Sequence, residues 1–277
     1  SRGSVPGVQL AHAGRKASKT RPWEGSEPLA PDEGGWETVA PSEHPWPHDA
    51  GEPPATRALS RTEIGEVVAS FRDAATRARD AGFEVVEIHA AHGYLLHEFL
   101  SPVTNRRTDE YGGSFRDRTR IVRDVVAAVR EVWPAENPVF VRISGTDWLD
   151  DRPSWTVEES ARLADVLHDE GADLIDVSSG GITPDSAPDW TGPNYQLALA
   201  EHVRAETKRD IAVGTVGGIT TAEQADAIVR NDRADIAIVG REFLRDPYFG
   251  LHAAEELGAL DRNPEPVQYG RAFPDQS

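Results

Sequence analysis

Residues 210–240, DIAVGTVGGITTAEQADAIVRNDRADIAIVG, decide how the rest of the chain is read. Two short runs rich in valine and isoleucine, 210–215 and 235–240, flank a glycine pair and a helical pattern over 220–232. The runs are nearly continuous in apolar character rather than alternating. That suits strands covered on both sides, as in parallel sheets. Strand, turn, capped helix and strand in this order make one βαβ unit.

The same rhythm runs back toward the N-terminus. Further strands are expected over 5–10, 83–89, 138–143 and 173–178. A helix over 60–82 carries Ile64, Val67, Val68 and Phe71 at helical spacing, Ser60 and Glu63 as a capping box, and Gly82 as its stop. Another over 156–171 repeats the pattern with Thr156, Glu159 and Gly171. The total is six strand units, whereas a closed (β/α)8 barrel needs eight and an open doubly wound sheet can use six. The polar residues discriminate better than the number. Gln9, His89, Arg142, Ser178 and Gly240 fall at the C-terminal ends of different strands, which is where barrel active sites form. The expected fold is therefore α/β, a TIM barrel with six of its strands in this chain, as a single domain over 1–277.

Residues 14–58 break the rhythm with proline, glycine and tryptophan, too long for an idle connection. They read as a functional loop at the site, and Trp23, Trp36 and Trp46 argue that it folds down onto the protein. His44 and His48 within it read as solvated. Residues 258–277 read as a C-terminal tail.

The chain has 277 residues, a net charge of −18 and a pI near 4.9, against the basic surface that nucleic acid requires. No stretch of eighteen apolar residues and no secretory pattern occur, so no membrane partner is expected and the expected compartment is the cytoplasm. With no cysteine, disulfides, thiolate metal sites and iron–sulfur clusters are excluded. Only Lys16, Lys19 and Lys208 are lysines. An acid-rich, lysine-poor chain resembles proteins of extreme halophiles, where salt screens self-repulsion; the plainer alternative is an acidic protein from a GC-rich bacterium.

Two clusters carry chemistry. Gly217 and Gly218 follow a strand and precede a capped helix, so their backbone N–H groups can face an anion; Gly240 and Arg241 end the next unit, where a guanidinium can reach the same phosphate. Simple turn glycines are the competing reading. The second cluster is "EIHAAHGYLLHEFLSP" (87–102), with His89, His92 and Tyr94 at a strand's end. A metal would need a third ligand, and no HExxH or carboxylate-rich partner motif appears, so no metal is expected. The remaining readings are two core histidines, or an oxygen-binding pair beside a proton donor.

These stretches, "VQLAHAGRKAS", "EIHAAHGYLLHEFLSPVTNRRTDEYGGSFRDRTR", "FVRIS" and "ADIAIVGREFLRDPYF", resemble the old yellow enzyme family of FMN-dependent ene-reductases, in its shorter xenobiotic-reductase-like bacterial type. The likeness runs from about residue 4 to 273 in the same order. It implies FMN at the barrel mouth. Gln9 would bond the flavin's pyrimidine edge, and Arg142 would sit where negative charge collects on reduction. Gly217, Gly218, Gly240 and Arg241 would hold the phosphate. His89 and His92 would grip the oxygen of an activated alkene (enone, enal or nitroalkene), and Tyr94 would protonate its α-carbon after hydride arrives from the flavin. NADPH or NADH would be the reductant. Arg271, in "PVQYGRAF", would reach the neighbouring subunit's site, which implies a homodimer or homotetramer.

The resemblance also implies two βα units ahead of "QLAHAGR", so the chain reads as N-terminally truncated relative to the family, with an open sheet edge. Two other functions stay open: an inactive or flavin-poor fragment of the same fold, and a flavin-free barrel lyase or isomerase acting on a phosphate substrate. The last requires a catalytic lysine or metal-binding carboxylates at strand ends, and the three lysines are expected elsewhere.

Overall fold

The structure, a computed structural model, describes residues 4–48, 52–260, 266–269 and 271. Its frame is a curled parallel sheet of six strands, in the order β1 (Gly7–Leu10), β4 (Val85–Ala90), β5 (Val139–Ser144), β6 (Leu174–Ser178), β7 (Ala212–Val216) and β8 (Ile236–Ile238). All six expected strands are present, and they form the six-strand arc of a TIM-barrel-like fold. A two-stranded parallel sheet, β2 (Thr38–Ala40) with β3 (Thr56–Ala58), stands apart in the long loop.

The strands carry more alternation than their apolar look implies. Val86, Ile88 and Ala90 of β4, Val139, Val141 and Ile143 of β5, and Ile175 and Val177 of β6 are fully buried against the helices. The opposite, inner face carries Gln9, Glu87, His89, Arg142, Ser144, Asp176 and Ser178, since side chains alternate along a strand. The polar residues thus share one face, and their register is fixed by pairing of Gln9 with Glu87, His89 with Arg142, and Arg142 with Asp176.

Helices cover the apolar face: α1 (Arg61–Asp80), α2 (Leu95–Leu100), α3 (Phe115–Arg118), α4 (Arg120–Arg130), α5 (Val157–Asp169), α6 (Leu197–Glu206), α7 (Ala222–Arg230), α8 (Arg241–Arg245) and α9 (Phe249–Glu256). Ser60 caps α1 as expected, its hydroxyl accepting from Glu63 N (3.3 Å) while the Glu63 carboxylate accepts from Ser60 N (2.9 Å). At α5 only half the box forms. Thr156 accepts from Glu159 N, but the Glu159 carboxylate turns to Arg118 at 2.6 Å, because a buried guanidinium is the stronger partner. Helix α4 presents Ile121, Val122, Val125, Val126 and Val129 as one buried stripe. Trp155, wholly buried, donates to Ser160 Oγ (2.8 Å), which in turn donates to Gly145 O (2.9 Å); this fastens the start of α5 to the end of β5. No described helix is long and apolar enough to cross a membrane.

Within the long loop, Trp46 packs over Lys16, whereas Trp23 and Trp36 stay 78% and 57% exposed. Only one of the three tryptophans does what the composition suggested. His44 is half-buried rather than solvated, its carbonyl accepting from Arg15.

Candidate active site

The C-terminal ends of β4, β5 and β6 bring His89, His92, Ser144 and Ser178 together, and a single directed series of hydrogen bonds joins His89, His92 and Ser178. Ala91 N donates to His89 Nδ1 (3.1 Å), which leaves the His89 proton on Nε2. That proton is directed at His92 Nδ1 (3.2 Å), so His92 carries its own proton on Nε2 and donates to Ser178 Oγ (2.7 Å). Ser178 donates to Gln196 Oε1 (3.3 Å), and Gln196 Nε2 donates to Val216 O (2.8 Å), just ahead of the glycine pair. The two histidines therefore meet, as expected, but they are joined in series with each other.

The turn that presents them is tightly held. His92 adopts φ +58°, a left-handed conformation that costs a non-glycine residue energy and persists only where surroundings enforce it. Ser144 Oγ accepts from His92 N (2.9 Å) and donates to Gly180 O (2.8 Å). Lys16 Nζ donates to His92 O (2.8 Å) and Gly181 O (3.0 Å). At Gly93 a Cβ would lie 2.1 Å from Gly181 O, so only glycine fits. Gly93 N in turn donates to His97 Nδ1 (2.9 Å). His97 Nε2 lies 3.0 Å from Asp147 Oδ1, and Asp147 Oδ2 accepts from Ser101 Oγ (2.6 Å) and Trp155 N (2.8 Å), all fully buried.

Tyr94 follows as the residue before α2, its ring centroid 4.8 Å from that of His89. Lys16 Nζ stands 5.7 Å from the Tyr94 ring and 4.3 Å from the Trp46 ring. This corrects the expectation that the lysines lie away from the site. Burial pulls the Lys16 ammonium down to about 8, with Lys19 and Arg15 adding to the effect.

Burial also keeps both histidines neutral. Desolvation, then the Arg142 charge, lowers His89 to about 4 and His92 to about 2 from an ordinary 6.5. The unfolded chain binds protons near pH 6.5 that the folded chain refuses. The stabilising contribution is therefore full above about pH 6.5 and is lost as pH falls toward about 4. Thermal unfolding followed from pH 7 to pH ~4 is expected to show a falling midpoint, with a flatter profile in a His89→Gln, His92→Gln double variant.

Beside this cluster lies a cavity of about 510 Å³, bordered by His92, Arg142, Ser178, Gly217, Gly218 and Arg241, among others. Its size falls within the range of cofactor pockets. Gly217 (φ +119°) and Gly218 (φ +66°) both need glycine. A Cβ on Gly217 would stand 2.7 Å from the Tyr195 ring, and one on Gly218 2.4 Å from Gly192 O. Gly240 also borders the cavity, with open space where its Cβ would be, so a backbone approach rather than packing is available there. The residues fit an FMN-sized group: a glycine-lined end with Arg241 for a phosphate, and Arg142 and His92 toward the histidine cluster. Gln9 does not border this cavity; its amide donates to Glu87 Oε1 at 2.6 Å. Arg271 is exposed in a turn and does not border it either, while most of the expected tail, 261–265, 270 and 272–277, lies outside the described residues.

Residues 1–259 match the profile of the NADH:flavin oxidoreductase / NADH oxidase family. The chain belongs to this family. Membership brings FMN as cofactor and a nicotinamide as reductant, and it bears out the resemblance to old yellow enzymes. The chain is 44% identical over 271 residues to an NADPH dehydrogenase of Listeria monocytogenes serotype 4a, covering 98% of this chain and 72% of that protein. It is 46% identical over 264 residues to an NADH:flavin oxidoreductase of Gibberella zeae, covering 91% of this chain and 63% of that protein. Among solved structures, morphinone reductase in complex with tetrahydroNAD superposes with a TM-score of 0.69 at 30% identity, over 96% of this chain and 69% of that one. Histamine dehydrogenase from a Rhizobium species gives 0.73 at 27% identity, over 94% of this chain and 35% of that one. The chain thus spans about a third to three-quarters of the proteins it matches.

Sequence reasoning placed the two histidines, the tyrosine and the glycine pair. It missed His97, in the same stretch, and Lys16, Asp147 and Gln196 in others: Lys16 and His97 hold the turn, Asp147 backs His97, and Gln196 holds Ser178. The only local signal was the third histidine of "HAAHGYLLH", His97, one helical turn beyond Gly93.

Proposed function

We propose that the chain is an FMN-dependent oxidoreductase that uses NAD(P)H to reduce the C=C bond of activated alkenes such as enones, enals and nitroalkenes. The observation that carries this reading is the neutral His89–His92 pair beside Tyr94, whose His92 borders the same cavity as Arg142 and the glycine end. When bound, FMN supplies the hydride chemistry that links the nicotinamide to the alkene.

The remaining work falls to side chains. An incoming carbonyl or nitro oxygen replaces His92 as the acceptor of the His89 Nε2 proton, and it draws the His92 Nε2 proton from Ser178. Two N–H donors then converge on the oxygen where negative charge develops, which lowers the barrier more than it aids ground-state binding. Neutral imidazoles suit this task, since they donate without having to lose a full charge's solvation. Tyr94 gives its phenolic proton to the α-carbon, because the developing enolate is a stronger base than a phenolate. Arg142 supplies a fixed cation to the inner face, and Arg241 with the glycine backbone holds the phosphate.

The phosphate assignment has a direct check. Arg241→Gln is expected to weaken FMN binding about tenfold or more, the scale of a lost charge-assisted bond, and to leave riboflavin binding unchanged. Equal losses for both ligands in a fluorescence titration would reject it.

The lyase or isomerase reading gains nothing from the burial of Lys16, whose ammonium is engaged by two backbone carbonyls. For setting, we place the protein in the cytoplasm of a halophile, on its net charge of −18. Its melting temperature is then expected to climb as KCl is raised from low to molar concentration, because screening relieves self-repulsion; a flat response in a salt series would oppose this. Gln9 at the flavin edge and Arg271 in a partner's site within a homodimer or homotetramer belong to the same reading.

A further inference from the structure

The series of hydrogen bonds that starts at His89 ends in Gln196, a side chain with no part in the chemistry described above. Gln196 is buried against the ends of β6 and β7. Its Oε1 accepts from Ser178 Oγ (3.3 Å) and from Ser179 Oγ (2.5 Å), and its Nε2 donates to Val216 O (2.8 Å). A carbonyl can only accept, so Val216 fixes which end of the amide faces it. Turned over, the amide would set its oxygen against the Val216 oxygen and leave a buried acceptor unmet. A Cβ at Gly217 would stand 2.8 Å from Gln196 Nε2, so the amide is packed directly against the glycine pair.

The direction of that amide decides what Ser178 can do. A hydroxyl has one proton; with that proton on Gln196 Oε1, the Ser178 oxygen is an acceptor toward His92 Nε2 (2.7 Å). In the free chain the His92 proton is held on Nε2 from two sides, because the His89 Nε2 proton also points at His92 Nδ1 (3.2 Å). A ligand oxygen that takes the His89 proton removes one of these two restraints. His92 then has two neutral forms. In one, the proton stays on Nε2 and meets the ligand oxygen. In the other it sits on Nδ1, and Nε2 accepts from a Ser178 hydroxyl that has turned round. The second form removes a donor at the moment it is needed, and it requires Ser178 to leave Gln196.

We propose that Gln196 is a positioning residue: by taking the Ser178 proton, it keeps His92 an Nε2–H donor while a ligand oxygen occupies the site. The same amide ties that donor to the glycine pair through Val216 O, one residue ahead of Gly217. One side chain therefore holds the histidine donor and the glycine end of the cavity in register. The inference rests on the reading that His89 and His92 bind a ligand oxygen, and one experiment tells the two apart.

The FMN-loaded full chain, labelled with heavy nitrogen in its histidines, is mixed with 2-cyclohexen-1-one in the absence of NADPH, so that the enone binds without turning over. Two-bond proton–nitrogen NMR then reports which ring nitrogen of His92 carries the proton. Wild type is expected to keep it on Nε2 with and without enone. In Gln196→Met, which keeps the length but offers no acceptor, the proton is expected on Nε2 in the free chain and divided between Nε2 and Nδ1 once enone is bound. The KM for enone should rise about fivefold, the scale of one neutral hydrogen bond. Adding Ser178→Ala to Gln196→Met removes the turned hydroxyl and should return the proton to Nε2, whereas a merely structural Gln196 would leave the double variant worse than the single. Gln196→Glu still accepts from both serines and should keep the wild-type pattern. A Gln196→Met complex with His92 fully protonated on Nε2 would overturn the proposal, as would a double variant that does not recover or a Gln196→Glu chain with the proton on Nδ1. If the enone moves neither histidine's signals in wild type, the oxygen-binding reading itself falls, and the proposal with it.

Discussion

Replacing Tyr94 with Phe is expected to slow C=C reduction by about 10²- to 10⁴-fold, the range removed with a general acid, while NADPH still reduces the flavin. The ring and its packing beside His89 survive in phenylalanine, so binding of an enone should change little. The loss therefore falls on kcat for the alkene rather than on KM, as expected when a group acts only in the transition state. Stopped-flow traces of the two half-reactions separate these effects. Unchanged alkene turnover in the variant would mean that the α-carbon takes its proton from elsewhere.

The second large effect is on stability. Asp147→Ala strips acceptors from Ser101 Oγ and Trp155 N and removes the carboxylate against His97, all buried. Each abandoned donor costs about 1–3 kcal/mol, and several in one knot bring the expected loss to about 3–5 kcal/mol. Against a typical total of about 5–15 kcal/mol, that is a severe change. It should also loosen Gly93, which His97 holds, and so lower activity more than a remote core substitution of equal cost. Urea unfolding and activity measured together test both parts; a loss under about 1 kcal/mol would show that the knot carries little.

Much of this was legible in the residues. All six strands were found because their valine- and isoleucine-rich runs end in polar residues, and the structure shows why those ends matter: they line one inner face. Boundaries drifted at β7, expected over 210–215 and found at Ala212–Val216. Helix α4 lies outside the expected helices although Ile121, Val122, Val125, Val126 and Val129 have helical spacing. The short pair β2 and β3 has three residues in each strand and no alternation to find.

The site's supports were illegible for a different reason. Local periodicity reports which face a residue occupies, not which distant residue it meets. Ser178 and Gln196, or Asp147 and His97, come together only once the strands are in register. The same limit applies to the tautomers. "HAAH" declares two imidazoles, but only the bonds to Ala91 and Ser178 decide that one ring donates to the other. The loop does fold onto the protein, with Arg15, Ser18, Thr38 and Ala40 buried, but of its three tryptophans only Trp46 takes part, while Trp23 and Trp36 stay exposed.

The central claim joins FMN, a nicotinamide and an activated alkene in one site. Its most direct test is an anaerobic titration of the FMN-reconstituted chain, first with NADPH and then with 2-cyclohexen-1-one. The account predicts that the flavin's blue-region absorbance bleaches with NADPH and returns when the enone is added, with saturated ketone formed in step. A bound flavin that bleaches but stays bleached in the presence of enone, or a chain that binds no FMN, would contradict it.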